Sequence, residues 1–92
     1  MQGESTLITT HVGADFDALG SMVAARRLYP GAMLFFPGSK EESVRRYLLS
    51  AQDLVLPEVR HRQVTPESIS RLILCDIRQR SRIGVVAEWM YI

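Results

Sequence analysis

Apolar residues along the chain alternate between short unbroken runs and stretches with helical spacing. Residues 6–10 and 32–36 are short apolar or β-branched runs bounded by turn-forming residues, which is typical of strands. Residues 72–75 form a third run, which we predict to be a buried strand ending at Asp76. Between the first two runs, residues 17–29 carry apolar side chains on one stripe, which predicts an amphipathic helix.

A second helix is predicted to begin just after Ser39 and to end at about Ala51. Ser39 and Glu42 match the Ser-x-x-Glu capping box, and the apolar stripe continues to Ala51. The charges on the other side of this helix predict two i,i+4 ion pairs, which are Glu41–Arg45 and Glu42–Arg46.

The remaining segments have weaker patterns. Residues 58–64 fit either a half-exposed edge strand or a loop. Thr65 and Pro66 resemble a helix N-cap followed by proline at the first helical position, which predicts one short turn. From Arg82 onward, with Ser81 as the candidate cap, apolar residues again recur at helical spacing.

This order of strands and helices predicts an α/β fold, a parallel sheet with flanking helices. In such sheets ligands bind in the crevice at the carboxyl ends of the strands. The chain has 92 residues, enough for one small domain. It ends on four large apolar residues, 89–92, without a helix stop, so we expect that a larger fold continues past them. The alternative is a terminal helix docked on its own core or on a second copy of the chain, as a homo-oligomer.

Composition and charge exclude several classes of protein. Eleven Lys and Arg residues against ten Asp and Glu give a net charge of +1, which excludes a bulk basic field for nucleic acid. The single cysteine, Cys75, excludes an internal disulfide and a cysteine-based zinc site. The sequence has neither a signal peptide nor an apolar run of membrane-spanning length, so we expect a cytoplasmic protein without a membrane partner.

The loop after the first predicted strand concentrates groups that bind metals. His11, Asp15 and Asp17 lie within seven residues, and two carboxylates this close repel each other unless a cation or proton lies between them. Asp76 follows the third strand, and the carboxyl ends of parallel strands share one edge of the sheet. We therefore predict that His11, Asp15, Asp17 and Asp76 converge on a divalent metal.

Simpler roles exist for each of these residues taken alone. Asp17 fits a helix N-cap, Asp76 a polar strand end, and His11 a surface or hydrogen-bonded core histidine. Three other sites in α/β folds fit less well. Haloacid-dehalogenase-like phosphatases place their two acids directly after the strand, receiver domains do not need His11, and Gly13 and Gly20 do not form a dinucleotide-binding loop.

Two segments resemble motifs of a known family. Residues 11–21, which read HVGADFDALGS, resemble the first motif of the DHH phosphoesterase superfamily, and residues 75–84, CDIRQRSRIG, resemble its second motif. Residues 28–30 and 36–39 extend the similarity to one bacterial group within it. That group joins a DHH module to CBS domains and a tRNA nucleotidyltransferase/poly(A) polymerase. The resemblance covers nearly the whole chain, so residues 1–92 are interpreted as the N-terminal part of a DHH domain.

The resemblance implies a two-metal phosphoesterase site. By this resemblance, His11 and Asp15 would bind one manganese or magnesium ion, Asp17 a second, and Asp76 both. The substrate would be a phosphodiester or nucleotide, with RNA reached through the full-length protein. Two neighbouring ions activate water and stabilise the leaving oxygen in such sites. As weaker candidates for phosphate contacts, Arg78, Arg80 and Arg82 follow the second motif.

The sequence also departs from this family. The Asp-His-His motif and the C-terminal subdomain are absent from these residues, so we expect the 92-residue chain to bind metal weakly and not to hydrolyse phosphodiesters. Two alternatives stay open. One is a non-catalytic module for sensing RNA or nucleotides or for assembly, and the other is an unrelated α/β domain with an acidic helix cap.

Overall fold

A computed structural model describes residues 6–51, 56–76 and 84–86, and within them it contains a parallel sheet flanked by helices. This confirms the predicted α/β class. The strands and helices, in chain order, are β1 (Thr6–Thr9), α1 (Phe16–Leu28), β2 (Met33–Phe35), α2 (Glu42–Ser50) and β3 (Arg71–Leu74).

The first strand lies in the centre of the sheet. The strand order is β2-β1-β3, and both neighbours run parallel to β1. Ile8 lies opposite Leu34 on one side and Ile73 on the other. As the central strand, β1 is well covered, and Leu7 to Thr10 are all buried. Because β1 and β3 are parallel, the loops that follow them lie at the same edge of the sheet.

Apolar side chains cover both faces of this sheet, as parallel strands require. On one face, Ala18, Leu19 and Met22 of α1 pack in one cluster with Ile8 and with buried residues from β2 and α2. The other face holds a smaller cluster of Leu7, Phe35 and Val86, and Val86 is fully buried there.

The third strand is less buried than its apolar sequence predicts. Leu72 and Ile73 are half-buried and Leu74 is 40% exposed, so the prediction of a buried strand was wrong for this element. Within the described residues β3 pairs only with β1 and forms an edge of the sheet. An apolar run does not show whether a strand is central or at an edge, and this explains the error.

The first helix begins one residue earlier than predicted, at Phe16. Its N-cap is Asp15, whose side-chain oxygen accepts a 2.9 Å hydrogen bond from the Ala18 N–H. Asp17, the cap that its sequence position suggested, lies exposed in the first turn, where its charge complements the helix dipole.

The capping box predicted for the second helix was wrong. Helix α2 has Glu41 at its N-cap position, without a side-chain cap hydrogen bond. The segment before the helix is held instead by the loop after β1, because Gly13 N–H donates to Ser39 O at 3.0 Å and Glu41 N–H donates to Ala14 O at 2.9 Å. These tertiary bonds, not a local box, set where α2 starts.

One of the two predicted ion pairs forms on this helix. Arg46 donates to the Glu42 carboxylate at 2.8 Å, which confirms that pair. Within residues 6–51, Glu41 and Arg45 form no ion pair, and the Glu41 carboxylate accepts a hydrogen bond from the Ser43 hydroxyl. Ser43 lies closer to Glu41 along the chain than Arg45 does, and its hydroxyl is the group that hydrogen-bonds to the Glu41 carboxylate.

The segment with the ambiguous pattern is largely a loop. Glu58 forms a single parallel bridge to Leu34, and a 3-10 turn follows at His61–Gln63. The short turn predicted after Thr65 is present as the 3-10 turn Pro66–Ser68.

The C-terminal helix predicted from Arg82 does not run through Gly84, which lies in a turn at φ +62°. Within this C-terminal segment, Val86 is the helical position that the structure describes. The rest of this helix, its cap Ser81 and the apolar end at 89–92 lie outside the described residues.

We expect Thr10→Val to lower the free energy of unfolding by about 1–2 kcal/mol. The fully buried Thr10 hydroxyl donates to Cys75 O at 2.7 Å, and valine keeps the shape but leaves this carbonyl without its donor. Urea denaturation measures the change. Thr65→Val is the matched control, because Thr65 is exposed and its side chain makes no cap bond. Equal effects of the two substitutions would contradict this role.

Candidate metal centre

Three ligand-bearing residues meet at the carboxyl edge of the sheet. His11 lies in the loop after β1, Asp15 is the N-cap of α1, and Asp76 follows β3 after one intervening residue. One ligand atom from each lies within 4.8 Å of the others. The parallel pairing of β1 with β3 therefore brings together residues far apart in the chain, as the topology predicted.

The imidazole of His11 is oriented by its own loop. The residue is 6% exposed, and Nδ1 lies 2.9 Å from Val12 O. Because a carbonyl oxygen only accepts hydrogen bonds, this contact places a proton on Nδ1. In the neutral ring Nε2 then carries the lone pair, and Nε2 lies 3.7 Å from Asp76 Oδ2. A metal-binding histidine commonly donates its other N–H to a backbone carbonyl in this way.

Asp15 has a structural role in the same place. One of its oxygens caps α1 through the Ala18 N–H, and the residue is half-buried. A carboxylate accepts about four hydrogen bonds or ligand contacts, so a single cap bond leaves it able to bind a cation.

Asp76 has a backbone conformation that side-chain-bearing residues rarely adopt. Its φ is +55°, the one positive φ outside glycine among the described residues. Aspartate and asparagine tolerate this region better than most residues, and strained backbone clusters at functional sites. The turn ends β3 abruptly and holds the carboxylate beside His11.

The neighbouring thiol of Cys75 does not extend the ligand set. Burial raises its pKa above the ordinary value, and the negative charge of Asp76 raises it further. A raised pKa disfavours the thiolate, which is the nucleophilic form of cysteine, and Cys75 is not one of the three residues whose ligand atoms lie together.

The other predicted site residues are not brought into this group. Asp17 is exposed in the first turn of α1 and lies outside the cluster of three, so its role as a ligand of a second ion stays a prediction. Arg78, Arg80 and Arg82 lie outside the described residues.

The donor set fits a divalent cation. Two carboxylates and an imidazole are ligands that manganese, magnesium, iron and zinc sites use. The 3.7 Å between Nε2 and Oδ2 exceeds the range of about 2.7–3.2 Å for a direct hydrogen bond. The two groups are thus close enough to share a cation and too far apart to satisfy each other directly.

Sequence reasoning missed the residues that support these ligands. Thr10 ties the end of β1 to Cys75 O, and Val12 provides the carbonyl that orients His11. Both have a local signal, because Thr10 is a polar residue at the buried end of an apolar strand and Val12 is an apolar residue among loop residues. Neither signal identifies the partner atom.

A comparison with curated proteins relates the chain to one segment of a larger enzyme. It is 51% identical over 82 residues to an A-adding tRNA nucleotidyltransferase of Geobacter sulfurreducens. The match covers 89% of this chain and 9% of that relative. The chain is thus related to a tRNA nucleotidyltransferase and spans a small part of its length.

The other comparisons return nothing. No family model matches the chain, so the resemblance to the DHH superfamily stays a prediction. No solved structure matches it either. In the part of the chain that the structure describes, no helix has the length and apolar character needed to cross a membrane.

We expect Asp15→Ala to lower the free energy of unfolding by about 1 kcal/mol, because α1 loses its cap. Asp15→Asn keeps a capping oxygen and removes a charge that repels Asp76, so its stability should equal or exceed that of the unchanged chain. Thermal or urea unfolding without metal measures both. Asp17→Ala, on the same exposed turn, should change stability by less than about 0.5 kcal/mol. A loss in Asp15→Asn as large as in Asp15→Ala would contradict the capping role.

Proposed function

We propose that this chain is the first part of a divalent-metal-dependent phosphoesterase module of the DHH type. It would belong to a protein related to tRNA nucleotidyltransferases. The observation that carries this proposal is the meeting of His11, Asp15 and Asp76 within 4.8 Å at the carboxyl edge of a parallel sheet. This edge is where α/β sheets bind their ligands.

The details of the cluster favour a cation over a chance group of acids. Exposed acidic groups are common without a bound ion, but His11 is buried and its ring is oriented by a backbone carbonyl. Asp76, with its left-handed backbone, places a carboxylate oxygen 3.7 Å from that ring. The two carboxylates repel each other, and a cation bound between them and the imidazole nitrogen would lower that repulsion.

The chain's own residues would hold the cation. His11, Asp15 and Asp76 would bind the ion, which would supply Lewis acidity at a phosphoryl oxygen. Asp17, exposed in the first turn of α1, is the candidate ligand of a second ion in the complete module. The substrate class is a phosphodiester or a nucleotide.

The relative supports the wider context of this module. Its name describes an enzyme that adds A to tRNA, and the present chain corresponds to 9% of it. Because the present chain corresponds to so small a part of that enzyme, we assign nucleotidyl transfer to another part of the full-length protein, through which RNA would reach this module.

We expect isothermal titration of the 92-residue chain with Mn²⁺ at neutral pH to show saturable binding that Asp76→Asn weakens at least tenfold, about 1.4 kcal/mol. Asparagine tolerates the left-handed backbone of position 76, so this substitution removes the charge without adding strain. Glu67→Gln is the matched control, because Glu67 is an exposed acid in the 3-10 turn away from the cluster. Its affinity should stay within about twofold of the unchanged chain.

Two results of this titration would count against the proposal. Absence of saturable Mn²⁺ binding would favour a non-catalytic module for assembly or sensing on the same fold. Equal affinities for Asp76→Asn and Glu67→Gln would show that the ion binds at acidic side chains in general.

A further inference from the structure

We propose that the peptide unit between Val12 and Gly13 is the positioning element of the candidate metal centre. It holds the His11 ring in the Nδ1-protonated tautomer and directs Nε2 toward Asp76. Val12 is the positioning residue, and Gly38 and Gly84 are the residues that fix it. The part of this inference that concerns metal affinity rests on the proposed function, and the part that concerns the tautomer does not.

Both polar atoms of this peptide unit have partners. The Val12 carbonyl accepts from His11 Nδ1 at 2.9 Å, and the Gly13 N–H donates to Ser39 O at 3.0 Å. Because a trans peptide is planar, its C=O and N–H point in opposite directions. The bond to Ser39 therefore restrains the direction of the Val12 carbonyl, and the packing of the Val12 side chain is a second restraint on the same peptide unit. The carbonyl in turn favours the proton on Nδ1 of His11.

The Val12 side chain is fixed from two other segments. A Cβ built on Gly38 would lie 3.1 Å from Val12 Cγ1, and a Cβ built on Gly84 would lie 3.0 Å from Val12 Cγ2. Both glycines have positive φ, +67° and +62°. Glycine is the residue that permits both this backbone conformation and this close approach.

These contacts give the apolar side chain of Val12 a role at a partly exposed position. Val12 is 40% exposed and belongs to neither of the two buried core clusters. Its branched shape instead fits between the segment after β2 and the segment that follows Asp76. The same contacts thus join the loop that carries His11 to the part of the chain that follows the third ligand.

The direct test is Val12→Ala compared with Val12→Thr. Alanine removes both Cγ atoms, whereas threonine keeps a branched side chain of nearly the same shape. Long-range ¹H–¹⁵N NMR at a pH where the imidazoles are neutral, without metal, reports the tautomer of His11, with His61 as an internal reference. We expect Val12→Ala to populate the second His11 tautomer and to weaken Mn²⁺ binding about tenfold, the effect typical of residues that orient a ligand. Val12→Thr should keep the tautomer and bind Mn²⁺ within about twofold.

A double-mutant cycle tests the contact itself. Gly38→Ala adds a Cβ against Val12 and strains the backbone in every background, so the strain cancels when the cycle is closed. We expect Gly38→Ala to weaken Mn²⁺ binding about tenfold in the unchanged chain and less than about threefold in Val12→Ala. Gly31→Ala, at an exposed glycine with nothing within 4 Å of its added Cβ, controls for the substitution type.

The outcomes separate this inference from the proposed function. A single Nδ1-protonated tautomer in a folded Val12→Ala variant would overturn the positioning role, whatever the metal affinity. A shifted tautomer in a chain that does not bind Mn²⁺ would support the positioning role and contradict the metal site. Equal effects of Gly38→Ala with and without the Val12 side chain would show that backbone strain acts alone.

Discussion

Two carboxylates and an imidazole are held at one edge of a three-stranded parallel sheet because β1 and β3 are locked in register. The ladder continues past the strands, since Cys75 N–H donates to Thr9 O at 2.9 Å and the Thr10 hydroxyl returns a bond to Cys75 O. Thr10 and Cys75 are 65 positions apart in the chain. If this register shifted by one residue, alternate side chains would exchange faces and the cluster would be lost.

Asp15 shows how one side chain combines two requirements. It must cap a helix, which needs an acceptor oxygen near the Ala18 N–H, and it must face Asp76 and His11. The helix N-terminus attracts the negative charge of the Asp15 carboxylate, while the nearby carboxylate of Asp76 repels it. A cation between the two acids removes this conflict, whereas a simple helix cap far from other acids would not create it. The metal interpretation is therefore supported by the closeness of Asp15 to Asp76 and His11, and not by its capping of the helix.

The order of elements and the shared sheet edge could be predicted from the sequence, because both follow from periodicity and from the geometry of parallel sheets. The start of α2 could not. Ser39 and Glu42 match a local capping signal, but the backbone of Ser39 and Glu41 is used by the loop after β1. The exposed Leu74 shows the same limit. The apolar sequence of β3 predicts a strand but does not show how many strands pair with it. Local patterns predict elements well, and tertiary hydrogen bonds decide where the elements begin and how deeply they are buried.

The three side chains of the cluster are oriented in three different ways, and none of these requires a bound ion. His11 is oriented by the Val12 carbonyl, Asp15 by the helix it caps, and Asp76 by a left-handed turn at the strand end. A site whose ligands are fixed in advance loses little conformational entropy on binding, so more of the interaction energy appears as affinity. Repulsion between the two acids lowers the stability of the chain without an ion, and a bound cation would relieve it. Preorganisation and this repulsion would therefore both increase the free energy gained when a cation binds.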